Sequence, residues 1–421
     1  MALLEGLRGH VLATTAAALS VTAALFVGAT ESKAQEIKIG FGMALTGPLA
    51  VNGKQALLGM KIWEDEVNGK GGLLGRKVKL VYYDDQSNPA TVPGLYSKLI
   101  DVDKVDLILG GYATNQVVPA VPIAAQKKKT MIGLFAADAN HKFKYPGYFS
   151  VIPVGQDVSS FSYGIFAVSQ EVSPKPQTVA IAMADAEFAH TVCGGARETA
   201  KKLGLKIVYD KSYPPATQDF TPIVRAVQAA NPDMFVVCSY PVDSVGMVRA
   251  VREVDFKPKL FGGAMVGLQS TGIKNQLKEK LNGIVNYETW VPSMVFPGTN
   301  EFFKKYQARA GAEGVDPLGF YLGGWGYAYI QILGQAVEGA KSIEDAKIAD
   351  YLRKNEFSTI HGKIKFGANG EWAESGMLAV QYKGIKPDAT IETWRTMDHQ
   401  TVVWPQKLKT GSAVYPYEKA R

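Results

Sequence analysis

Hydrophobic and polar positions alternate along the chain with two periods, one typical of strands and the other of helices. Short apolar runs such as EIKIGFGMAL and VDLILGG predict buried strands of a parallel sheet. After the first strand, GKQALLGMKIWEDEVNG places Gly59, Met60 and Trp63 on one side of a predicted helix. Gly69 lies just past the end of that helix. The same alternation of strand and helix continues as far as Met265.

This alternation falls into two successive runs of βαβ units, which predict two parallel sheets with helices on both faces. The first run includes NQVVPAVPIAAQKKK, a predicted helix despite its two prolines. After the second run the pattern predicts helices at Asn300–Arg309, Tyr321–Glu338 and Ile343–Lys354. Short strands follow in GKIKFG, MLAVQYKG and ETWRTM. We therefore expect an α/β fold of two doubly wound lobes with a cleft between them.

Open parallel sheets bind ligands beyond the carboxyl ends of their strands. Those ends define the predicted rims of the cleft, which are Ala44–Pro48, Gly110–Asn115, Phe135–Asp138, Met183–Glu187, Ser239–Asp243 and Gly262–Gly267. The rims suggest a pocket for a small molecule with an apolar body and an anionic head. The aromatic residues at or near them are Tyr112, Phe135, Phe188, Tyr240, Tyr321 and Trp325.

The first 34 residues differ from the rest of the chain. Arg8 and His10 precede the uncharged apolar run VLATTAAALSVTAALFVGA, and Ala34 follows as a small residue at a plausible cleavage point. This order predicts a secretory signal peptide over residues 1–34 rather than a permanent membrane anchor. We therefore expect a mature protein that is exported and soluble.

Composition is ordinary for a soluble protein, with 47% hydrophobic and 20% charged residues in a chain of 421, long enough for two domains. The net charge of +7 favours anionic ligands only weakly. The one dense basic run, Lys127–Lys129, closes a predicted helix, so we read it as a helix end and not as a nucleic-acid surface. Cys193 and Cys238 fit no metal-binding motif. We favour the interpretation that both are free buried thiols. A disulfide between them is the alternative, since an exported chain can form one.

Motifs of catalysis are weak or missing. GFGMAL contains Gly-x-Gly without the third glycine of a dinucleotide-binding loop, and no Gly-x-Ser-x-Gly or His-Glu-x-x-His occurs. Asp84 and Asp85 precede QSNP, which favours turn hydrogen bonding over metal or acid–base chemistry. The five histidines are scattered, and their contexts predict exposure to solvent. We expect no catalytic residues, no metal site and no cofactor.

Four stretches carry a resemblance to a known family: IKIGFGMALTGPLAVNGKQALLGMKIWEDEVNGKGGLLGRKVKLVYYDDQSNP, VDLILGGYATNQVVPA, DFTPIVRAVQAANPDMFVV and HGKIKFGANGE. With the matching order of strands and helices, they span nearly the whole mature chain. The chain resembles the type I periplasmic solute-binding proteins of ABC importers, in particular the branched-chain amino acid (leucine/isoleucine/valine-binding) family.

The resemblance implies two lobes joined by three crossovers that close on a ligand by hinge motion. It places the first lobe at 36–152 plus about 285–360 and the second at 153–284 plus about 361–406, with a tail at 407–421. The implied partners are a small carboxylate ligand and an ABC permease with its ATPase. The implied protein is periplasmic and monomeric, and binds no nucleic acid.

The resemblance also implies a ligand site. In the family a hydroxyl and backbone N–H groups hold the carboxylate of the ligand, which here matches Thr114, beside Asn115, and the turn Phe135–Asp138. Other matching positions lie in both lobes. The full set of implied ligand-binding residues is Asn52, Tyr112, Thr114, Asn115, Phe135, Ala136, Ala137, Asp138, Phe188, Tyr240, Ala264, Met265 and Tyr321.

Two departures from the family stand out. Amino-acid-binding members place an acid near the position of Ala264 and Met265 to pair with the ammonium of the ligand. An unpaired buried ammonium is costly, so either Asp185, Glu187 or Asp243 substitutes, or the ligand is an aromatic or aliphatic acid without an amino group. Ser87 and Ala113 stand where a first-lobe disulfide often occurs.

Two other functions stay open on the sequence. A periplasmic sensor that reports its ligand to a receptor would share every feature described above. A nucleotide-dependent enzyme is the weaker alternative, because it requires a third glycine and an acid for the ribose.

Overall fold

The computed structural model describes residues 35–421, and the predicted signal peptide at 1–34 lies outside the described residues. The strands are β1 (Ile37–Met43), β2 (Val78–Asp84), β3 (Leu107–Tyr112), β4 (Met131–Leu134), β5 (Tyr148–Ser150), β6 (Thr178–Ala184), β7 (Lys206–Tyr213), β8 (Met234–Ser239), β9 (Leu260–Met265), β10 (Val285–Glu288), β11 (Glu356–Thr359), β12 (Gly362–Lys365), β13 (Leu378–Tyr382) and β14 (Gln400–Trp404). The helices are α1 (Ala50–Gly69), α2 (Val92–Asp101), α3 (Thr114–Val117), α4 (Val121–Gln126), α5 (Ala139–Phe143), α6 (Ser160–Glu171), α7 (Glu187–Lys202), α8 (Thr221–Ala229), α9 (Pro241–Glu253), α10 (Thr271–Leu277), α11 (Thr299–Glu313), α12 (Leu322–Ala340) and α13 (Asp345–Lys354).

Two large sheets organise the described residues. The smaller has the order β2-β1-β3-β4-β5 and is parallel throughout. The larger has the order β14-β13-β10-β9-β8-β6-β7, and β13 runs antiparallel to both of its neighbours. We call the smaller sheet with its helices the first lobe and the larger sheet with its helices the second lobe. The two-sheet α/β architecture predicted from the sequence is confirmed.

The chain passes three times between the lobes. Residues 151–159 lead from β5 to α6, residues 289–298 lead from β10 to α11, and residues 366–377 lead from β12 to β13. The first and third crossovers touch, since the Gly376 amide donates to the Pro153 carbonyl at 2.8 Å. Strand β10 (Val285–Glu288) was predicted to lie where the chain re-enters the first lobe. It pairs instead with β9 and β13, so it belongs to the larger sheet of the second lobe.

Helices α1 and α12 pack backbone to backbone on the first lobe. Both are rich in glycine where they meet, and a Cβ built on Gly59 would lie 2.2 Å from the carbonyl oxygen of Gly323. On the other helix, a Cβ on Gly326 would lie 2.3 Å from the carbonyl oxygen of Ala56. Only glycine permits this approach, so the predicted apolar side of α1 is also a close-packing surface.

Some elements differ from the sequence prediction. ETWRTM contains a short 3-10 helix at Ile391–Trp394 instead of a strand, because Thr390 and Thr393 cap each other reciprocally. The predicted helix at the two prolines divides into α3, a 3-10 turn at Val118–Ala120 and α4. Helices α5, α6 and α10 and strand β11 were not predicted, and neither were the strands β5, β10 and β14. The three strands span only 3 to 5 residues, so their partners in the sheet define them more than their own pattern does.

Cys193 and Cys238 form a disulfide, so the favoured interpretation as free thiols is wrong. Cys193 lies on α7 and Cys238 on β8, and both are fully buried. Helix α7 packs on the larger sheet and brings the two Cα atoms to 6.1 Å, within the range that a disulfide spans. The bond therefore links a helix of the second lobe to its central strands.

Within residues 35–421, no helix is both long enough and apolar enough to cross a membrane.

Gly59→Ala should destabilise the protein, because the added methyl group collides with the backbone of α12. We expect a loss of roughly 1–3 kcal/mol, as for other overpacked sites. Urea unfolding measures it. Gly194→Ala is the matched control, since it also lies in a helix but has no atom within 4 Å of its built Cβ. The control should gain about 0.5–1 kcal/mol from helix propensity. Equal effects of the two substitutions would refute the close-packing account.

Candidate functional site

The turn after β1 is held by one carboxylate. Asp84 accepts from the backbone amides of Leu45 and Thr46 at 3.0 and 3.1 Å and from the Thr46 hydroxyl at 2.6 Å. Partial burial would raise the pKa of Asp84, but these hydrogen bonds outweigh it and lower the pKa. The predicted role of Asp84 in turn formation is confirmed, and the turn lies at the mouth of the cleft.

The turns after β3 and β4 carry strained backbone. Ala113 has φ of 80° and Phe135 has φ of 59°, a region that residues with a Cβ rarely adopt. Hydrogen bonds join the two turns: the Ala113 amide donates to the Leu134 carbonyl at 3.1 Å, and the Ala137 amide donates to the Thr114 hydroxyl at 3.0 Å. Strained residues cost about 1–3 kcal/mol each and cluster at ligand clamps. This geometry makes the predicted rim segments the strongest candidates for a binding site.

Aromatic side chains from both lobes meet above these turns. We call this set the aromatic cage; its members are Tyr112, Ala113, Phe135, Ile152, Phe161, Phe188, Tyr240, Val266 and Tyr321. Ring centroids lie 5.4 Å apart for Phe135 and Tyr321, and 5.2 Å apart for Phe188 and Tyr240. The cage encloses a cavity of about 10 Å³, roughly the volume that one water needs. The described conformation is therefore closed.

Neutral hydroxyl groups line one side of the cage. The Asn52 side-chain amide donates to the Tyr112 hydroxyl at 2.8 Å. The Tyr321 hydroxyl lies 3.2 Å from that of Tyr287. Burial raises the pKa of Tyr112 to about 12, so the phenol is uncharged at neutral pH. The cage thus offers polar but uncharged partners to a ligand.

Asn115 joins the lobes. Its side-chain oxygen accepts from the Phe188 amide at 3.1 Å and from the Tyr240 hydroxyl at 3.0 Å, both in the second lobe. At the rim, the Lys142 ammonium lies 3.2 Å from the Glu187 carboxylate across the same gap. In the closed conformation Asn115, predicted as a ligand contact, therefore serves as a latch.

The other predicted residues have mixed positions. Ala136 and Ala137 are buried in the turn after β4, whereas Asp138 begins α5 and pairs with His141. Ala264 and Met265 are buried in β9, and the next residue, Val266, lines the cage. Thr114 is buried, and its hydroxyl accepts a hydrogen bond within the first lobe.

Each acid proposed to replace the missing one already has its own partner. Asp185 lies 2.6 Å from His190, and Glu187 pairs with Lys142. Asp243 accepts from the Tyr213 hydroxyl at 2.8 Å, and burial raises its pKa to about 7. Among the described residues that line the cage, none carries a charge.

Two larger cavities lead outward from the cage. The first, about 350 Å³, shares Asn115 and Tyr240 with the latch and extends to Pro48. The second, about 510 Å³, begins at Pro48 and Val242 and lies against Arg249. Together they form an access path between the lobes, along the predicted rims.

Several residues of the site were not predicted. Ile152 and Phe161 lie in and just after the first crossover, where the sequence pattern indicated no element, and Tyr287 belongs to the unpredicted β10. His361 was predicted to be exposed, which is wrong. It stacks on Trp325 with centroids 4.4 Å apart, and burial lowers its pKa to about 3. No group of three or more metal-ligating side chains occurs within residues 35–421.

Comparisons with known proteins agree with this geometry. Residues 36–388 match the model of the family described as "Periplasmic binding protein". The chain is 26% identical over 394 residues to the Leu/Ile/Val-binding protein homolog 7 of Brucella abortus, covering 88% of this chain and 96% of that protein.

Two solved structures share the fold. LivJ of Streptococcus pneumoniae, in complex with isoleucine, superposes with a TM-score of 0.71 at 20% identity, covering 88% of this chain and 100% of that one. A solute-binding protein from R. palustris, in complex with 4-hydroxybenzoate, gives a TM-score of 0.69 at 19% identity. The match covers 84% of this chain and 94% of that one.

Asn115→Ala should shift the ligand-free protein toward an open conformation. The substitution removes two interlobe hydrogen bonds, each worth about 0.5–1.5 kcal/mol. We expect a larger radius of gyration in small-angle X-ray scattering, and a smaller increase for Tyr240→Phe, which removes only one bond. Tyr163→Phe, on α6 against Trp404, is the control and should leave scattering unchanged. If Asn115→Ala scatters like the control, Asn115 is not a latch.

Proposed function

We propose that this chain, which belongs to the periplasmic binding protein family, captures a small carboxylic acid with an apolar, preferably aromatic, body between its lobes. The chain is a binding protein and not an enzyme. We further propose that it works in the periplasm after removal of residues 1–34 and delivers its ligand to the permease of an ABC importer. The uncharged aromatic cage is the observation that carries the choice of ligand.

The cage disfavours an ammonium group. A buried charge without a partner loses its hydration, which costs far more than a neutral group loses. The three acids that could substitute for the missing one are paired with His190, Lys142 and Tyr213, and using one of them for a ligand would break that pair. An acid without an amino group avoids this cost, and its ring or chain would contact the aromatic side chains.

The two strained turns suit a carboxylate. The Thr114 hydroxyl oxygen accepts from the Ala137 amide, which leaves the hydroxyl proton available to a ligand oxygen. The positive φ at Phe135 and Asp138 turns the backbone of 135–138 sharply beside it. Backbone N–H groups and a hydroxyl stabilise an anion without a formal cation, as helix N-termini do.

The ligands of the two structural neighbours mark the alternatives. LivJ holds isoleucine, an amino acid, and the R. palustris protein holds 4-hydroxybenzoate, an aromatic acid. Both share only the fold with this chain, so neither identifies its ligand. The absence of charge in this cage favours a ligand of the second kind.

Binding requires opening. A cavity of about 10 Å³ is far smaller than a benzoate ring, so the ligand must enter while the Asn115 latch is broken. Contacts from the ligand to both lobes would then favour the closed conformation over the open one. The permease would recognise that closed form.

Calorimetric titration of benzoate, 4-hydroxybenzoate, phenylacetate, leucine and phenylalanine tests the ligand class. Aromatic acids should bind at least about tenfold more tightly than the matching amino acids, since 1.4 kcal/mol corresponds to that factor. Phenylalanine against phenylacetate is the matched pair, because the two share a ring and a carboxylate while only phenylalanine carries an ammonium. Tight binding of leucine, with no response to the acids, would overturn the choice of ligand.

Thr114→Ala should weaken binding by roughly 1–3 kcal/mol, because a hydrogen bond to a charged oxygen is lost. Thr114→Ser keeps the hydroxyl and is the control, which should retain most of the affinity. Thermal unfolding of both variants separates loss of the contact from loss of the turn. Equal affinity of Thr114→Ala and wild type would exclude Thr114 from the carboxylate site.

A further inference from the structure

The third crossover docks on β5 and α5, the elements beside the turn of the proposed carboxylate site. The Ser150 amide donates to the Gly370 carbonyl at 2.9 Å, which places the crossover on β5. A Cβ built on Gly370 would lie 2.1 Å from the Tyr148 carbonyl oxygen, so the two backbones touch. Asn140, on α5, donates through its side-chain amide to the Asn369 carbonyl. The segment that links the lobes is thus fixed to the element that follows the turn at 135–138.

Glu371 lies at the centre of this contact and is 1% exposed. One of its carboxyl oxygens accepts a hydrogen bond from the backbone N–H of Asn140, in the first turn of α5, at 3.4 Å. Ser150, whose amide donates to the carbonyl of the neighbouring Gly370, donates through its hydroxyl to the Ala136 carbonyl at 3.2 Å. Gly370 and Glu371 therefore connect to the turn at 135–138 through Ser150 and to the start of α5 through Asn140.

No cation balances this carboxyl among the described residues that pack on it. Its second oxygen has no hydrogen-bond partner there, and neither has the buried Tyr148 hydroxyl beside it. Basic side chains on the surrounding elements have other partners, since Lys142 pairs with Glu187 and Arg353 donates to the Pro146 carbonyl. The titratable groups on the elements around Glu371 are Asp138, His141, Lys142, Lys144, Tyr145, Tyr148, Asp157, Arg353 and Glu374.

We propose that Glu371 is a positioning residue that must be a neutral carboxylic acid for the turn at 135–138 to accept the carboxylate of a ligand. The proposal rests on the proposed function, because the ligand carboxylate would lie on the other side of the same turn. Ionised Glu371 would place a second negative charge behind the site, and the two charges would repel each other through a buried region. Since Glu371 also belongs to a crossover, the charge of the ligand acts on the segment that joins the lobes.

Burial raises the pKa of Glu371 to about 8, with the nearby Asp138 carboxylate adding to the shift, so the group is neutral at pH 7. Below pH 4.5, the ordinary pKa of a glutamate, neutral Glu371 contributes its full stabilisation of the folded state. This stabilisation is lost as the pH rises toward 8. A ligand carboxylate would raise the pKa further, and linkage requires that affinity falls as Glu371 ionises.

The first experiment needs no ligand. Glu371→Gln is nearly isosteric with the neutral acid and does not titrate, so the melting temperature of the variant minus that of wild type should grow from pH 5 to pH 8. A difference that stays constant over this range would show that Glu371 does not become neutral on folding and would overturn the proposal. This arm is independent of the ligand, so it separates failure of the proposal from failure of the proposed function.

The second experiment measures binding of 4-hydroxybenzoate, or of leucine if the titration panel selects it, at pH 7 and pH 9. Wild type should bind up to about tenfold more weakly at pH 9, as follows from a pKa near 8, whereas Glu371→Gln should change much less. Parallel pH profiles would overturn the proposal, even if both proteins bind tightly.

A third measurement uses wild type alone, in case the variant does not fold. Calorimetry at pH 8 in buffers of different ionisation enthalpy reports protons taken up on binding. We expect about half a proton per ligand, because half of the Glu371 side chains are ionised near the pKa. Binding without proton uptake would overturn the proposal.

Discussion

The hydrogen bond from the Ala137 amide to the Thr114 hydroxyl joins the turns at the ends of two neighbouring parallel strands, and the binding side of the first lobe depends on it. Ala113 and Phe135 adopt positive φ on either side of this bond. Such backbone persists only when surrounding contacts hold it in place. The sheet supplies the first contacts by placing the carboxyl ends of β3 and β4 side by side, and the Thr114 side chain supplies the next.

The second constraint is the distribution of charge. Asp185 and Glu187 lie at the rims of the cleft and are paired there, while the described residues of the cage are aromatic, aliphatic or neutral hydroxyl-bearing. The same side chains close the site and determine what fits inside it. On the proposed function, desolvation would select the ligand, because a closed cage excludes water from whatever group is left without a partner. The latch at Asn115 uses a neutral amide for the same reason.

Much of the site followed from the strand ends. Tyr112 and Tyr240 end or follow predicted strands, and the periodicity that located those strands also located the rims. Residues in the crossovers were missed, because a crossover has no period of its own and is positioned by its neighbours. Ile152 joined the cage, and Glu371 came to lie against the start of α5, only through the packing of distant segments.

The sequence by itself determined the two-lobed α/β architecture and the rims of the cleft, since each is a local pattern of residues, and its resemblance to a family indicated the missing acid at Ala264. Tertiary structure alone decided that Cys193 bonds to Cys238, that Asn115 faces the second lobe and that His361 is buried against Trp325. These outcomes depend on which distant segments come together. Hydrophobic periodicity reports which side of an element is buried, but it carries no information about the partner that buries it.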